Sequence, residues 1–89
     1  MTEKEIMLQA ISVFGEEMQE NVAAEECAEL IQAISHKHRG RAHNIAEEIA
    51  DCEIMIEQLK MINGCAADVE EIRKKKIERL FERIFEECM

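Results

Sequence analysis

The sequence predicts an all-α protein, and three observations predict it. Proline is absent and glycine occurs three times in 89 residues, while Ala, Glu, Ile, Met, Lys and Leu dominate, most of them strong helix formers. Apolar residues recur at three- and four-residue intervals, and no stretch alternates as a half-buried strand does. Each glycine falls where a periodic run ends, which divides the chain into four helices.

Thr2 followed by Glu5 reads as a capping box, and Ile6, Ala10, Ile11 and Phe14 then recur at helical spacing until Gly15 breaks the run. A longer helix runs from about Glu16 to His38, with Ala23, Cys27, Leu30, Ile31 and Ile34 on one stripe. It closes on His36, Lys37, His38 and Arg39, with Gly40 after them. Asn44 with Glu47 reads as the cap of a third helix reaching about Ile62, and Asn63-Gly64 ends it. Ile45, Ile49, Cys52, Ile56 and Leu59 form its stripe, but Ala46, Ala50, Ile54, Met55 and Ile62 point elsewhere. A helix apolar on most sides is buried on most sides. Asp68 with Glu71 opens a fourth helix, whose stripe is Val69, Ile72, Ile77, Leu80, Phe81, Ile84 and Phe85.

Residues 1–89 make one small domain, which at this length buries only about 60–65 % of the surface its unfolded chain exposes. A composition 47 % hydrophobic exceeds what so thin a core needs, and oligomerisation into a homodimer or homotetramer is expected to take up the difference. The formal charge of −9 argues against binding a nucleic acid polymer or an anionic membrane by charge. No stretch approaches the roughly 18 apolar residues of a membrane span, and the N-terminus lacks a signal peptide's layout, so a cytoplasmic protein is expected. Cys27, Cys52, Cys65 and Cys88 form no C-x-x-C pair and are expected to be reduced and structural. The histidines at 36, 38 and 43 suit a helix C-terminus as well as they suit zinc.

The segments AEECAELI (24–31) and AEEIADCE (46–53) repeat one phrase, with Glu29 of the first becoming Asp51 in the second. Residues three apart are neighbours on a helix face, so Glu26 pairs with Glu29 and Glu48 with Asp51, each pair beginning on the flank of its apolar stripe. The short connection through Gly40 makes the two helices antiparallel neighbours, on which facing pairs can converge. Four converging carboxylates resist ionisation unless a cation sits among them. An all-oxygen ligand set favours Mg²⁺, Mn²⁺ or Ca²⁺ over zinc, and Mg²⁺ commonly completes its shell with water and substrate phosphates. The competing reading is plain: carboxylates at this spacing are common on solvated helix faces.

Glu25-Glu26-x-x-Glu29, followed by Glu48-x-x-Asp51, resembles the signature of the all-α nucleoside triphosphate pyrophosphohydrolases, the MazG-like superfamily. The run FGEEMQENVAAEECAELIQAISHKHRGRAHNIAEEIADCEIMIEQLKMI resembles that group's central helices in order and spacing, and the similarity spans roughly residues 11–85. The resemblance implies a four-helix MazG-like bundle completed by oligomerisation. It also implies Mg²⁺-dependent hydrolysis of a nucleoside triphosphate to monophosphate and pyrophosphate by a metal-activated water, with Mn²⁺ as a substitute. Glu26, Glu29, Glu48 and Asp51 would be the metal ligands, with Glu25 supporting them or orienting the water. Gln19 and Asn44 match recurrent positions of the family and are candidate base or sugar contacts, although a helix-cap role also explains Asn44. Phe14 is a candidate to stack on a base or, alternatively, a core residue.

Phosphate charge beyond what metal neutralises calls for basic groups. Lys37 follows the second helix, and on the fourth Arg73 and Lys76 lie beside or within the apolar stripe while Arg79 flanks it. Lys76 and Arg79 are the leading phosphate ligands, with Lys37 and Arg73 behind them; a solvated charge run pairing with Glu70, Glu71 and Glu78 is the alternative. Two rival functions remain: a non-catalytic helical interaction module, and a degenerate family member that binds nucleotide without hydrolysing it. The scarcity of aromatic residues leaves base selectivity open.

Overall fold

The computed structural model describes residues 1–88, and among them every regular element is helical: α1 (Glu3–Phe14), α2 (Glu16–His38), α3 (Ile45–Asn63) and α4 (Ala66–Cys88). The helix ends follow from local chemistry. Thr2 Oγ1 accepts the Glu5 N–H at 3.1 Å, capping α1, and the Thr2 hydroxyl also reaches the Glu5 carboxylate. Gly15 then separates α1 from α2. At the end of α2 the Arg41 N–H bonds the His36 carbonyl at 2.9 Å and the Gly40 N–H bonds that of Lys37, a Schellman closure that needs the positive φ of Gly40. Gly64 repeats the device on α3, where the Cys65 N–H bonds the Lys60 carbonyl at 3.1 Å.

One expected start is corrected, and at another the expected cap residue stands in place without its side-chain bond. The fourth helix begins at Ala66 rather than Asp68, because the Gly64 closure turns the chain directly into a new helix and the Cys65 carbonyl takes its first bond, from Val69 N–H. Asp68 becomes a first-turn acid, where it complements the helix dipole. The Asn44 side chain makes no cap bond to α3; its amide goes to Glu48 instead.

The antiparallel α2–α3 pair is the body of the molecule, and α1 packs across both helices. The face that α2 and α3 turn to each other differs from the expected stripes. Buried there are Gln19, Ala23 and Ala33 from α2 and Glu48, Cys52, Met55 and Gln58 from α3. Ile31, Ile34, Ile49 and Ile56, expected in the core, are exposed, as is Phe14. The polar residues tolerate burial because they find partners. Gln19 Nε2 donates to Gln58 Oε1 at 2.6 Å, and the Cys52 thiol donates to the Glu26 carbonyl at 3.2 Å.

The buried amide pair makes a direct prediction. Replacing Gln58 alone with leucine leaves the Gln19 amide unsatisfied and is expected to cost about 1–3 kcal/mol, while the Gln19→Leu/Gln58→Leu double variant recovers most of that loss. Urea unfolding of the two single variants and the double variant measures it; additive single losses would show that the pair is not coupled.

α4 leaves this body. It approaches α3 sparsely and touches neither α1 nor α2, and its apolar stripe stands exposed. The radius of gyration is 16.4 Å, against about 12 Å for a compact chain of this length.

Candidate metal centre

α2 carries Glu26 and Glu29 one turn apart, and α3 carries Glu48 and Asp51 in the same relation; the antiparallel pairing brings these two turns face to face. One carboxylate oxygen each of Glu26, Glu29 and Glu48 lies within 4.8 Å of the others. Asp51 is not one of the three, although its charge, with those of Glu29 and Glu48, bears on Glu26. Carboxylates gathered this closely favour a shared proton or a cation between them.

The burial is asymmetric. Glu48 is 6 % exposed, Glu26 and Asp51 are half-buried, and Glu29 faces solvent. Asn44 Nδ2 donates to Glu48 Oε1 at 2.8 Å, which fixes that carboxylate, while Glu48 Oε2 and Glu26 Oε2 are buried without a hydrogen-bond partner. Burial raises the pKa of Glu26 first, and the charges of Glu29, Asp51 and Glu48 raise it further. Burial likewise raises that of Glu48; the Asn44 bond opposes this and the Glu29 charge adds to it. The cluster is therefore built against ionisation from its own protein, and two buried oxygens point at no protein donor. An oxygen-only set of this kind fits a hard divalent cation such as Mg²⁺ or Mn²⁺.

The other candidates are placed less centrally. Glu25 is exposed on α2, next to Glu26 in sequence. Gln19 is buried with its amide committed to Gln58. Phe14 lies exposed at the end of α1, beside a shallow groove that includes Glu17, Met18 and Asn21. Lys37 is exposed in the last turn of α2. Arg73, Lys76 and Arg79 are exposed on α4, and because α4 does not touch α2, a single chain does not pack them against the acids of that helix.

Two supporting roles were not read from the sequence, where Asn44 is a candidate base or sugar contact or a helix cap and Cys52 a structural cysteine. Asn44 stands four residues before Glu48, a spacing at which an amide reaches a carboxylate along a helix, so its role was detectable. Cys52 anchors α3 to α2 through the Glu26 backbone, a bond between helices that periodicity does not reveal. No protein-family model, curated protein or solved structure matches the chain.

Proposed function

We propose that this chain is a Mg²⁺-dependent nucleoside triphosphate pyrophosphohydrolase of the MazG-like kind, acting as a homodimer or homotetramer, with Mn²⁺ able to replace Mg²⁺. The observation that carries the reading is the convergence of carboxylates from two helices on a partly buried point where two carboxylate oxygens lack any partner. Glu26, Glu29, Glu48 and Asp51 would hold the ion, which when bound neutralises triphosphate charge and lowers the pKa of a coordinated water.

The residues of the chain supply positioning. Asn44 holds the Glu48 carboxylate in one orientation, and the Cys52 bond to the Glu26 carbonyl ties the two acid-bearing turns together. Glu25, outside the buried cluster and open to solvent, is available to orient the attacking water or accept its proton. Water forms a bond to the phosphorus of the nucleotide's first phosphate, the bond to the second phosphate breaks, and pyrophosphate leaves. Lys76, Arg79, Lys37 and Arg73 remain the candidate phosphate ligands, those of α4 needing either movement of that helix or a second subunit to reach the acids.

The rival with an observation behind it is an interaction module, since exposed isoleucines and phenylalanines are what a docking protein presents. Phosphorus NMR of a panel of ribo- and deoxyribonucleoside triphosphates with Mg²⁺ separates the two. Monophosphate plus pyrophosphate is expected, reduced at least about 100-fold by Glu48→Gln. No turnover of any triphosphate would overturn the hydrolase reading.

A further inference from the structure

We infer that the groove between α1 and α3 is the seat of α4 from a second copy of this chain, the two copies exchanging these helices about a twofold axis. The inference goes beyond the proposed hydrolysis and does not depend on it.

The accessible surface is 7,281 Å², whereas a compact folded chain of 10.3 kDa exposes about 5,400 Å². The excess is about 1,900 Å² per chain, or about 3,800 Å² for two chains, which falls within the range of obligate dimers. Much of that surface is apolar and belongs to α4, where Phe81 is 69 % exposed and Ile72, Ile77, Ile84 and Phe85 are each more than half exposed.

The groove has the complementary character. Its deeper part, about 380 Å³, is lined by Ile6 and Met7 of α1 and Ala50 and Ile54 of α3, with Glu3 and Glu53 at its edge. It continues past Met61 to the root of α4 at Ala66 and Ala67. From Ala50 to Gly64 it runs about 21 Å, and the Ile72–Phe85 stripe of α4 is about 20 Å long.

Charge points the same way. Residues 1–65 carry 13 acids against five bases, whereas α4 carries six of the chain's eleven bases beside seven acids. Lys76, Arg79 and Arg83 recur at helical spacing along one flank of the stripe. Among the described residues the single ion pair is Lys60–Glu57, and none of them gives the α4 cations a carboxylate partner. The Lys76, Arg79 and Arg83 flank of α4 fits the part of the groove edged by Glu3 and Glu53, while Lys4 and Lys60 lie in its continuation toward Ala66.

The chain's own α4 does not take that seat. The Gly64 closure and the Cys65–Lys60 bond send α4 away from the end of the groove after a connection of two residues. A second copy carries no such tether, and a reciprocal exchange closes the assembly without leaving a free groove or a free helix.

A charge-swap tests this by sedimentation equilibrium. One variant reverses the groove (Glu3→Lys/Glu53→Lys) and another reverses the helix (Lys76→Glu/Arg79→Glu/Arg83→Glu); all five sites are exposed, and helical circular dichroism verifies folding. The wild type is expected at twice the 10.3 kDa chain mass, each variant alone as monomer, and their equimolar mixture again at twice the chain mass. A monomeric wild type, variants that keep the wild-type mass, or a mixture that stays monomeric would each overturn the exchange. The readout is mass, not turnover, so these results stand apart from the fate of the hydrolase reading.

Discussion

Glu48→Gln is expected to abolish stabilisation by Mg²⁺ while raising the melting temperature of the metal-free protein at neutral pH. The two effects have one cause. In the metal-free protein Glu48 and Glu26 hold their protons above the ordinary carboxyl value of 4.5, because burial and neighbouring acids disfavour their charged forms. The native state then binds protons that the unfolded chain has released, so stability falls as pH rises. The contribution is present in full below about pH 4.5 and is lost as pH climbs through the raised native values. Glutamine at position 48 still accepts the Asn44 amide through its oxygen, carries no charge, and offers its own amide to a neighbouring carboxylate. The metal-free variant is therefore both higher and flatter in melting temperature across pH 5–8.

Mg²⁺ reverses the slope for the wild type, since a bound cation favours the ionised carboxylates and its contribution grows with pH. A ligand at ten times its dissociation constant adds about 1.4 kcal/mol. For a domain of this size that raises the melting temperature by about 6–11 °C. Differential scanning fluorimetry across pH, with and without millimolar Mg²⁺, measures both arms. A wild-type melting temperature indifferent to Mg²⁺ and Mn²⁺ at pH 7.5 would rule out the metal centre and leave the acids as an unexplained buried cluster.

The approach of Glu26 and Glu29 to Glu48 was legible in the sequence for a simple reason. Their three-residue spacing and the short connection through Gly40 fix which turns lie level with each other, and the rotation of the helices decides whether the carboxylates then meet. The helix limits other than the start of α4 were legible because Thr2, Gly15, Gly40 and Gly64 act through bonds only a few residues long. The rotation of α2 and α3 was not. Ile31, Ile34, Ile49 and Ile56 mark the more hydrophobic side of each helix, yet the pair closes on Gln19, Glu26, Glu48 and Gln58. A polar face can be the inner face when its groups pair across the interface, and one helix read alone does not disclose its partner. The path of α4 was hidden for the same reason, since its own stripe is perfectly regular while the turn at Gly64 decides what it can reach.

That rotation has a measurable consequence at Met55. Position 55 was read as lying off the apolar stripe, but it is the largest hydrophobic side chain among those buried, the others being Ala23, Ala33 and Cys52. A core this thin has little to replace a lost thioether, and alanine there leaves a cavity in it, about one helical turn before Gln58. Met55→Ala is expected to cost about 2–5 kcal/mol, a large share of the total stability of a small domain. Ile31→Ala removes a comparable volume from the stripe the sequence favours, but Ile31 is 69 % exposed and the change is expected to cost less than about 0.5 kcal/mol. Urea denaturation at equal protein concentration decides between the two faces. A larger loss at Ile31 than at Met55 would mean that the isoleucine side is the true interior, and that the carboxylates of Glu26 and Glu48 are not held where a metal could reach both.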